Sequence, residues 1–508
     1  MNRLSYQLIT DKKVKRQIDI LSLLSSTKAP VTIEELSDEI GASERTISAD
    51  LKDLVSKLPP EVKLDIFPKV GAILNWKTSY LLSDFITELS GNNPIFEIVE
   101  QLFHGSEKSL EEYAEELYIS DITLKRKLLI LKKSLKQFKL GLRLNPVQIT
   151  GNEINIRCFF FSYFRNVASD SFRLCFNNEY SFHYQVVNEI KTGLDSSFHS
   201  DFRRAMQWML VLEERILAGK LVRLPHTLIE QQICKRSYIN FKKIFLEKID
   251  QHLNISDITE DEIIFAYIVR LDTIVYQQSD NEQLNWVHEN EVPSTIMESF
   301  INSVLSQFDI EAKNNEDLFH KLSIFLSNLS LTGQLSSLFQ KNSLELNHKV
   351  KQLHPFTHAK CVNIITSTGI DNELSIAYVS DVAVSLTLII SSHMYDRNLK
   401  EKNILFGLSG ESTYLNYFIM LSNCFLPRNS NILFSYNEEI TDYFLKKNKI
   451  DLWIHNYPIE RKFDGIVSFQ ISAIPSIAEW TLLIKLIIDI SPDELHQFFD
   501  SYSENIKL

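Results

Sequence analysis

Two segments of the chain, 77 positions apart, repeat the same order of residue types. The first runs from Thr32 to Leu51 (TIEELSDEIGASERTISADL) and the second from Ser109 to Leu128 (SLEEYAEELYISDITLKRKL). Each begins with a hydroxyl residue followed three residues later by Glu, a pattern that caps the start of a helix. A second hydroxyl residue, Ser43 or Ser120, then precedes a longer stretch with helical spacing. The repeat predicts two copies of a short helix, a turn and a longer helix.

Apolar residues in both copies recur with the period of an amphipathic helix, so that one face is buried and the opposite face is free. In the longer helices they are Ile47, Leu51 and Leu54 in the first copy, and Leu124, Leu128, Leu131 and Leu135 in the second. An earlier apolar stretch precedes each copy, and an alternating segment suited to a two-stranded wing follows it, at 64–73 and 140–149. Each copy is therefore predicted to be a winged helix-turn-helix domain, whose second helix lies in a DNA major groove.

The free face of each longer helix carries the side chains expected to contact double-stranded DNA. Cationic side chains suit phosphate groups, Arg45 suits a bidentate contact with guanine, and the small Ala49 permits close approach to a thymine methyl group. The candidate DNA-binding residues are Ser43, Arg45, Thr46, Ser48, Ala49 and Lys52 in the first copy, and Ser120, Ile122, Thr123, Lys125, Arg126 and Lys133 in the second. The alternative is an interaction scaffold whose helix-turn-helix units are structural, and salt-dependent binding to random duplexes separates the two.

Charge is distributed unevenly along the 508 residues, whose formal net charge is -12. Residues 1–170 hold 23 basic and 23 acidic side chains, so all of the net negative charge lies in the remainder. The five cysteines form no CxxC pair, the N-terminus lacks the apolar core of a signal peptide, and the longest apolar run is too short to span a bilayer. We therefore expect a cytoplasmic protein with reduced cysteines and no membrane partner.

Between about residue 172 and residue 395 the sequence predicts one helix after another. The expected helices cover 203–219, 262–277, 296–308, 318–339 and 375–391, with linkers at 256–261 and 278–283. Most of these helices are apolar on more than one face, which is typical of multi-helix bundles. The segment contains no cluster of acid and base side chains like that of an active site, so we expect no enzyme activity and no cofactor.

After about residue 400 short apolar strands alternate with amphipathic helices. The expected strands cover 403–407, 431–435, 451–455 and 464–469, and the expected helices 414–421, 440–447 and 477–488. This alternation predicts a small parallel α/β domain at the end of a mainly helical, multidomain chain.

In its tandem helix-turn-helix segments, its order of domains and the segment 147–157 (VQITGNEINIR), the chain resembles the Mga/AtxA family of transcriptional regulators. The resemblance implies winged helix-turn-helix domains at 1–78 and 79–170. It implies helical domains like phosphotransferase regulation domains (PRDs) at 171–284 and 285–398, and a domain like the phosphotransferase EIIB component at 399–508. It also implies an activator of surface, virulence or metabolic genes that forms a homodimer through its C-terminal domain. A phosphocarrier protein of the sugar phosphotransferase system would tune it by phosphorylating histidines.

The sequence departs from the wider phosphotransferase families at the positions that carry phosphate. The arginine of the regulation-domain pattern matches Arg215, but the histidine seven residues before it is replaced by Trp208. A second expected histidine, seven residues after Glu262, falls on Val269. The loop after the first C-terminal strand contains no cysteine, so EIIB-type phosphotransfer is not expected there. His199 is the candidate regulatory phosphorylation site, with His226 and His320 also available by position.

Three other groups of residues have types found in an active-site or phosphate-binding loop, a zinc site or a dimer contact. The loop 407–411 (GLSGE) lacks the last glycine of a nucleophile elbow, although it is suited to cradle a phosphate group. The segment 354–361 (HPFTHAKC) has zinc-ligand residue types, but we expect no metal because Pro355 disrupts helical register and a fourth ligand is missing. Aromatic residues of the C-terminal domain are candidates for the dimer contact, although some of them must lie in the core: Tyr414, Tyr417 and Phe418.

Overall fold

The computed structural model describes most of the chain, with fewer described residues after residue 401. The described residues are 3–164 (without 28, 78–81 and 92), 182–193, 201–253, 258–273, 294–311, 315–401, 403–410, 418–420, 422, 431–436, 440–459, 466–472, 475–476, 479–480 and 482–483. They fall into two compact units. One comprises the described parts of 1–292 together with 324–340, and the other the described parts of 293–323 and 341–508.

The first winged helix-turn-helix domain consists of four helices and a two-stranded wing. Its elements are α1 (Arg3–Leu8), α2 (Lys12–Ser26), α3 (Ile33–Ile40), α4 (Glu44–Lys57), β1 (Val62–Phe67) and β2 (Gly71–Trp76). The strands pair antiparallel from Val62 opposite Trp76 to Phe67 opposite Gly71. The predicted stripe of Ile47, Leu51 and Leu54 is buried against α2. The helices and the wing expected from the sequence are therefore confirmed.

The second winged helix-turn-helix domain repeats this layout and adds a helix. Its elements are α5 (Leu82–Ser90), α6 (Pro94–Phe103), α7 (Leu110–Glu116), α8 (Asp121–Leu135), β3 (Gly141–Leu144), β4 (Val147–Thr150) and α9 (Glu153–Phe164). The strands pair antiparallel around Asn145 and Pro146, as predicted. Helix α9, which the sequence analysis did not predict, is buried on nearly every face and packs beside the helices that follow.

The remaining helices of the first unit form a bundle next to α9. They are α10 (Phe182–Gly193), α11 (Phe202–Leu217), α12 (His226–Ile233), α13 (Arg236–Leu253) and α14 (Glu260–Val269). Gly219, with φ of 68°, follows the end of α11 as the expected C-terminal cap. The expected helix 262–277 instead begins at Glu260, inside the predicted linker 256–261, and tightens into a 3-10 turn over Arg270–Thr273. The linker expected at 278–283 lies outside the described residues.

Six helices follow in the chain before the sheet. They are α15 (Ser294–Gln307), α16 (Glu316–Leu335), α17 (Leu344–Leu353), α18 (Pro355–Thr368), α19 (Ile370–Glu373) and α20 (Val379–Glu401). Two expectations were wrong here. Pro355 starts α18 rather than disrupting a helix, because a first-turn proline lacks only an N–H that would be unpaired anyway. The last helix begins at Val379, not at 375, and continues to Glu401.

A four-stranded parallel sheet in the second unit confirms the predicted α/β pattern. The strands are β5 (Asn403–Leu408), β6 (Asn431–Tyr436), β7 (Leu452–His455) and β8 (Val467–Gln470), in the order β6-β5-β7-β8. Helix α21 (Asp442–Lys447) lies between β6 and β7 in the sequence. The expected helices 414–421 and 477–488 lie largely outside the described residues. Phe418 packs between Phe406 and Trp480, so it is one of the aromatic candidates that were expected to lie in the core, while Tyr414 and Tyr417 lie outside the described residues.

Candidate nucleic-acid interface

Hydroxyl caps fix both helix-turn-helix units in the same way. Thr32 accepts a hydrogen bond from Glu35 N at 3.1 Å and returns one from its own N to Glu35 Oε2 at 2.8 Å. Ser109 and Glu112 form the same reciprocal pair at 3.1 and 2.6 Å. The backbone N–H groups lower the pKa of both carboxyls. The capping boxes read from the sequence are therefore present, and they set the start of α3 and α7.

The N-terminal caps of the longer helices use four of the predicted DNA-binding residues. Ser43 accepts from Thr46 N at 3.3 Å, and their hydroxyl oxygens lie 2.8 Å apart. Ser120 and Thr123 repeat the arrangement at 3.3 and 2.9 Å. Ser43 and Ser120 are exposed, whereas both threonines are half-buried. These hydroxyl groups therefore position the first turn of each candidate recognition helix.

The solvent face of α4 carries Arg45, Ala49 and Lys52, all exposed, with Ser48 half-buried beside them. Within the described residues, neither Arg45 nor Lys52 forms an ion pair or a side-chain hydrogen bond. This face is cationic because the acidic residues in the middle of α4 are paired elsewhere.

Two carboxylates of α4 are neutralised by α2 and by the end of α4 itself. Asp50 pairs with Arg16. Asp53 accepts from Lys57 at 2.7 Å, Gln17 at 2.6 Å and Lys13 at 3.1 Å. The hydrogen bond from Lys57, followed by those from Gln17 and Lys13, lowers the pKa of Asp53 far below its usual range. The pairing removes the negative charge of Asp50 and Asp53 from competition with the cations on the opposite face of α4.

Helix α8 presents a more strongly cationic face than α4. Lys125, Arg126 and Lys133 are exposed, and within the described part of the chain none of the three forms an ion pair. Two further lysines are engaged inside the protein: Lys127 donates to Thr10 Oγ1 at 2.7 Å, and Lys139 donates to Ser337 Oγ at 2.7 Å. Burial lowers the pKa of Lys127. Lys132 and Lys136, which the sequence analysis left out of the site, are also exposed.

Large apolar side chains interrupt the cationic face of α8. Ile122 is 83% exposed and Leu129 is 54% exposed, one and three turns into the helix. Before α8, Tyr118 is 95% exposed and has a left-handed backbone with φ of 52°. For an L-residue other than glycine this conformation costs roughly 1–2 kcal/mol. The repeat places Gly41, with φ of 70°, at the equivalent position of the first copy. Sequence analysis missed Tyr118, and its alignment with Gly41 was the available signal.

The two wings differ in the side chains at their tips. In the first wing the whole tip is exposed and largely apolar: Ile66, Phe67, Pro68, Lys69 and Val70. In the second wing Arg143 donates to Gln148 Oε1 at 2.5 Å, and Gln148 donates to Glu107 Oε1 at 2.6 Å. The second wing is therefore tied by polar bonds to the loop before α7, whereas the tip of the first projects freely.

Helix α9 joins the second winged domain to the helical bundle through buried ion pairs. Arg157 is fully buried and donates to both carboxylate oxygens of Glu262 at 2.7 Å. Arg215 donates to both carboxylate oxygens of Glu153 at 2.7 and 3.0 Å. Arg215 and Glu262 are the residues that matched the regulation-domain pattern. In this chain both are engaged with α9.

The positions of the two missing histidines are filled by packed apolar side chains. Trp208 stacks on Phe161 with ring centroids 4.1 Å apart, and its indole N–H donates to Asp272 at 2.8 Å. Arg204 holds the same carboxylate through two hydrogen bonds of 2.8 and 2.7 Å. Val269 is buried at the end of α14. Neither position offers a group that can accept a phosphate.

The other histidines proposed from the sequence are placed differently. His199 lies outside the described residues. His226 is exposed and lies 3.3 Å from Glu230 on its own helix, and His320 is half-buried. His358, in the segment with zinc-ligand residue types, has its Nε2 3.2 Å from the Ser380 carbonyl oxygen. Across the described ranges no three His, Cys, Asp or Glu side chains are grouped to hold a metal ion.

The loop after β5 is held by a side chain rather than left open. Ser409 N donates to Asn456 Oδ1 at 2.8 Å, and Asn456 Nδ2 returns a bond to the Ser409 carbonyl at 2.8 Å. Glu411, the last residue of the predicted phosphate loop, lies outside the described residues. Asn456 thus occupies one amide that a phosphate group would use.

A cavity of about 290 Å³ opens between the second wing, α9 and α11. Its charged wall residues are already paired, Arg215 with Glu153 and Lys220 with Glu107. The charges of the wall balance, so the cavity offers no excess positive charge to an anion. No helix among the described residues is both long and apolar enough to cross a membrane.

Comparison with known proteins places the same two segments in helix-turn-helix families. Residues 78–164 match the Mga helix-turn-helix domain, and residues 16–71 match a general helix-turn-helix domain. The first match covers the second winged domain to the end of α9, and the second runs from within α2 of the first winged domain to the start of β2.

Three regulators from Bacillus anthracis are similar over longer stretches. The capsule synthesis positive regulator AcpA is 26% identical over 61% of this chain and 65% of its own length. The capsule synthesis positive regulator AcpB is 20% identical over 90% of this chain and 98% of its own. The anthrax toxin expression trans-acting positive regulator is 20% identical over 42% of this chain and 44% of its own. The chain thus contains an Mga helix-turn-helix domain and is similar to these regulators of capsule synthesis and toxin expression.

Proposed function

We propose that this chain is a transcriptional activator that binds double-stranded DNA with α4 and α8 and catalyses no reaction. One observation carries the proposal. Two helix-turn-helix units, built on the same caps, each expose a cationic helix face whose lysines and arginines have no partner within the described residues. Such a face suits phosphate contact and groove insertion. A structural scaffold has no need of uncompensated cations at that place.

The two helices are proposed to contribute differently. Helix α8 and the 3-10 turn after it carry six basic residues from Lys125 to Lys136 and one acidic residue, Asp121, which suits sequence-independent binding to phosphates. Helix α4 carries Arg45 near its N-terminal end, where the recognition helix of a helix-turn-helix meets base edges. Arg45 is therefore proposed to read a guanine and Ala49 to approach a thymine methyl group.

The experiment measures binding of the full-length protein to fluorescent duplexes of random sequence between ~50 and ~200 mM salt. A DNA-binding protein loses affinity steeply as salt rises because binding releases counterions from the phosphates, and this release becomes less favourable as the salt concentration increases. A scaffold shows no salt-dependent binding. The double variant K349A/K351A is a control for the loss of lysines outside the proposed interface. It removes two exposed lysines from α17 in the other compact unit and should bind as the wild type does.

Positive control of surface or virulence genes is proposed from the relatives. AcpA and AcpB are named as positive regulators of capsule synthesis, and a third relative as a positive regulator of toxin expression. Mapping of bound genomic fragments in the parent cell, together with transcript levels after deletion of the gene, tests this proposal. Bound promoters should lose transcripts in the deletion strain, and a gain of transcripts would make the protein a repressor.

The later domains are proposed to regulate DNA binding in the cytoplasm. We infer that the helical segments correspond to phosphotransferase regulation domains and the parallel sheet to an EIIB-like domain that holds a homodimer. Support comes from the resemblance in domain order and from the strand order β6-β5-β7-β8. Truncation before residue 400 should give a monomer on size-exclusion chromatography that binds DNA weakly. A truncated protein that remains dimeric contradicts this assignment.

Phosphorylation by the phosphocarrier protein is proposed at His199. The two family positions at Trp208 and Val269 have no phosphate-accepting group, so the proposal rests on His199 alone. Incubation with the phosphocarrier protein and a phosphate donor should label the wild type and leave H199A unlabelled. Equal labelling of both proteins would move the site to another histidine.

A further inference from the structure

Tyr118 occupies an unusual place in the turn that connects α7 and α8. Its side chain is 95% exposed, and it forms no hydrogen bond or ring contact within the described residues. Its backbone is left-handed, a conformation that glycine adopts without strain. At the equivalent position of the first copy the residue is Gly41. An added Cβ at Gly41 would meet no atom within 4 Å, so the space beyond this turn is open in that copy.

Folding alone does not explain a tyrosine at this position. A strained backbone with a solvated aromatic ring contributes no packing, and glycine or asparagine would end α7 at a lower cost. Residues held in sparsely populated backbone conformations cluster at binding and catalytic sites. The left-handed backbone of Tyr118 therefore points to a binding role for its exposed side chain.

The surroundings of Tyr118 are those of a surface that meets an anion. Ile122, which is 83% exposed, and the exposed Lys125 and Arg126 follow within eight residues along α8. Lys132 and Lys133 continue the positive charge toward the end of the helix. A phenol has an apolar ring and a hydroxyl donor at its tip, and tyrosine hydroxyls are among the groups that hydrogen-bond DNA phosphates.

We propose that Tyr118 is a DNA-backbone contact, whose hydroxyl donates a hydrogen bond to a phosphate oxygen at the edge of the groove that α8 enters. The inference rests on the proposed function and adds to it a residue from outside the recognition helix. Because phosphate contacts carry no sequence information, Tyr118 fixes the orientation of α8 on the duplex and does not select bases.

The test compares Y118F and Y118G in the full-length protein on random-sequence duplexes. Y118F removes the hydroxyl and keeps the ring, whereas Y118G removes both and relieves the backbone strain. Both variants should bind about tenfold more weakly on every sequence, as expected for a lost hydrogen bond to a charged group. The salt dependence should not change because a phenol carries no charge, whereas R126A should flatten it by about one counterion.

Two further measurements make the result decisive. The unfolding temperature of Y118G should equal or exceed that of the wild type, which shows that weaker binding does not come from lost folding. Y443F, which changes a tyrosine that is 75% exposed on α21 of the other compact unit, should bind as the wild type does. If Y118F binds like the wild type, the hydroxyl contact is wrong. If the wild type does not bind duplex DNA, the proposed function fails, and this contact fails with it.

Discussion

The two winged domains share their caps and their register, yet they differ in what surrounds the recognition helix. In the first, Asp50 and Asp53 of α4 turn toward α2 and are neutralised by basic residues of α2 and of the end of α4. In the second, α8 keeps nearly all its cations on the solvent face, and α9 ties the domain to the bundle through buried ion pairs. The two copies thus share the caps and helix arrangement that expose the second helix, but they differ in the residues and helices that contact it.

Aligned positions show the divergence most directly. Arg45 corresponds to Ile122, Ala49 to Arg126, and Lys52 to Leu129. At each of the three positions, one copy has a charged residue and the other has an apolar or small residue. The two helices are therefore suited to different contacts with DNA, one directed at bases and one directed mainly at phosphates.

The largest effect is expected at the buried ion pair that only the second domain has among the described residues. In E262A, Arg157 remains buried and loses both bonds to Glu262, which leaves Glu153, at 3.5 Å, as its carboxylate partner among the described residues, so unfolding should become easier by about 3–5 kcal/mol. The control in the first domain is D50A, which leaves a partly exposed Arg16 that water can solvate and should cost less. Thermal unfolding of the full-length proteins measures both. Equal losses would remove the contrast between the domains.

Replacing both members of the buried pair separates charge from packing. R157M/E262L removes the two charges together, so it should recover most of the stability that E262A loses. A double variant as unstable as E262A would show that the bond from Val222 N to Glu262, at 2.8 Å, matters more than the ion pair.

The double variant R126A/K133A should weaken binding to every duplex by roughly 10–100-fold at physiological salt and flatten the salt slope by about two counterions. Both side chains are exposed without an ion-pair partner in the described structure. Fluorescence anisotropy across a salt series measures the slope. An unchanged salt slope in the folded variant would show that Arg126 and Lys133 of α8 do not contact DNA phosphates.

Arg45→Ala should cost about 1–3 kcal/mol at a preferred DNA site and less on random sequence, because a base contact adds discrimination that a phosphate contact lacks. The preferred site comes from selection of duplexes by the wild-type protein, and competition titration gives the two affinities. A loss of the same size on both DNAs makes Arg45 a phosphate contact and erases the difference between α4 and α8.

The smallest effect concerns the pair His104–Glu214, whose Nδ1 and Oε2 lie 2.8 Å apart. The hydrogen bond to Glu214 raises the pKa of His104. A raised histidine pKa stabilises the folded state below the unfolded-state pKa, and this contribution is lost as pH rises through the folded-state value. Because both side chains are partly exposed, the gain is less than about 1 kcal/mol. H104A should show a smaller drop in unfolding temperature between mildly acidic and mildly alkaline pH than the wild type.

The sequence predicted those parts of the molecule whose pattern is local. The capping hydroxyls, the stripe from Leu124 to Leu135 and the alternating strands of the sheet follow from spacing alone, and all are present in the structure. Each depends on residues within a few positions of one another.

Features that depend on distant partners were not predictable in the same way. Helix α9 (EINIRCFFFSYF) has no polar stripe because the bundle and the second winged domain cover it on nearly every side. Its buried Arg157 is stabilised chiefly by Glu262, more than a hundred residues later, and also by the Lys220 carbonyl, which is equally distant from local sequence patterns. The strain at Tyr118 is indicated in the sequence only by its alignment with Gly41 of the other copy, since an aromatic residue in a turn is not itself unusual.

The N-terminal helix α1 has a consequence for the length of a DNA site. It packs against α8 and α9, and the residues after it are joined to the second domain by a bond from Asn93 Nδ2 to the Leu8 carbonyl at 2.8 Å and by Lys127 and Thr10. Helix α1 therefore packs on the second winged domain, although the first winged domain follows it in the sequence. Because these contacts tie the two winged domains together, the protein should set the spacing between the two segments of DNA that they contact.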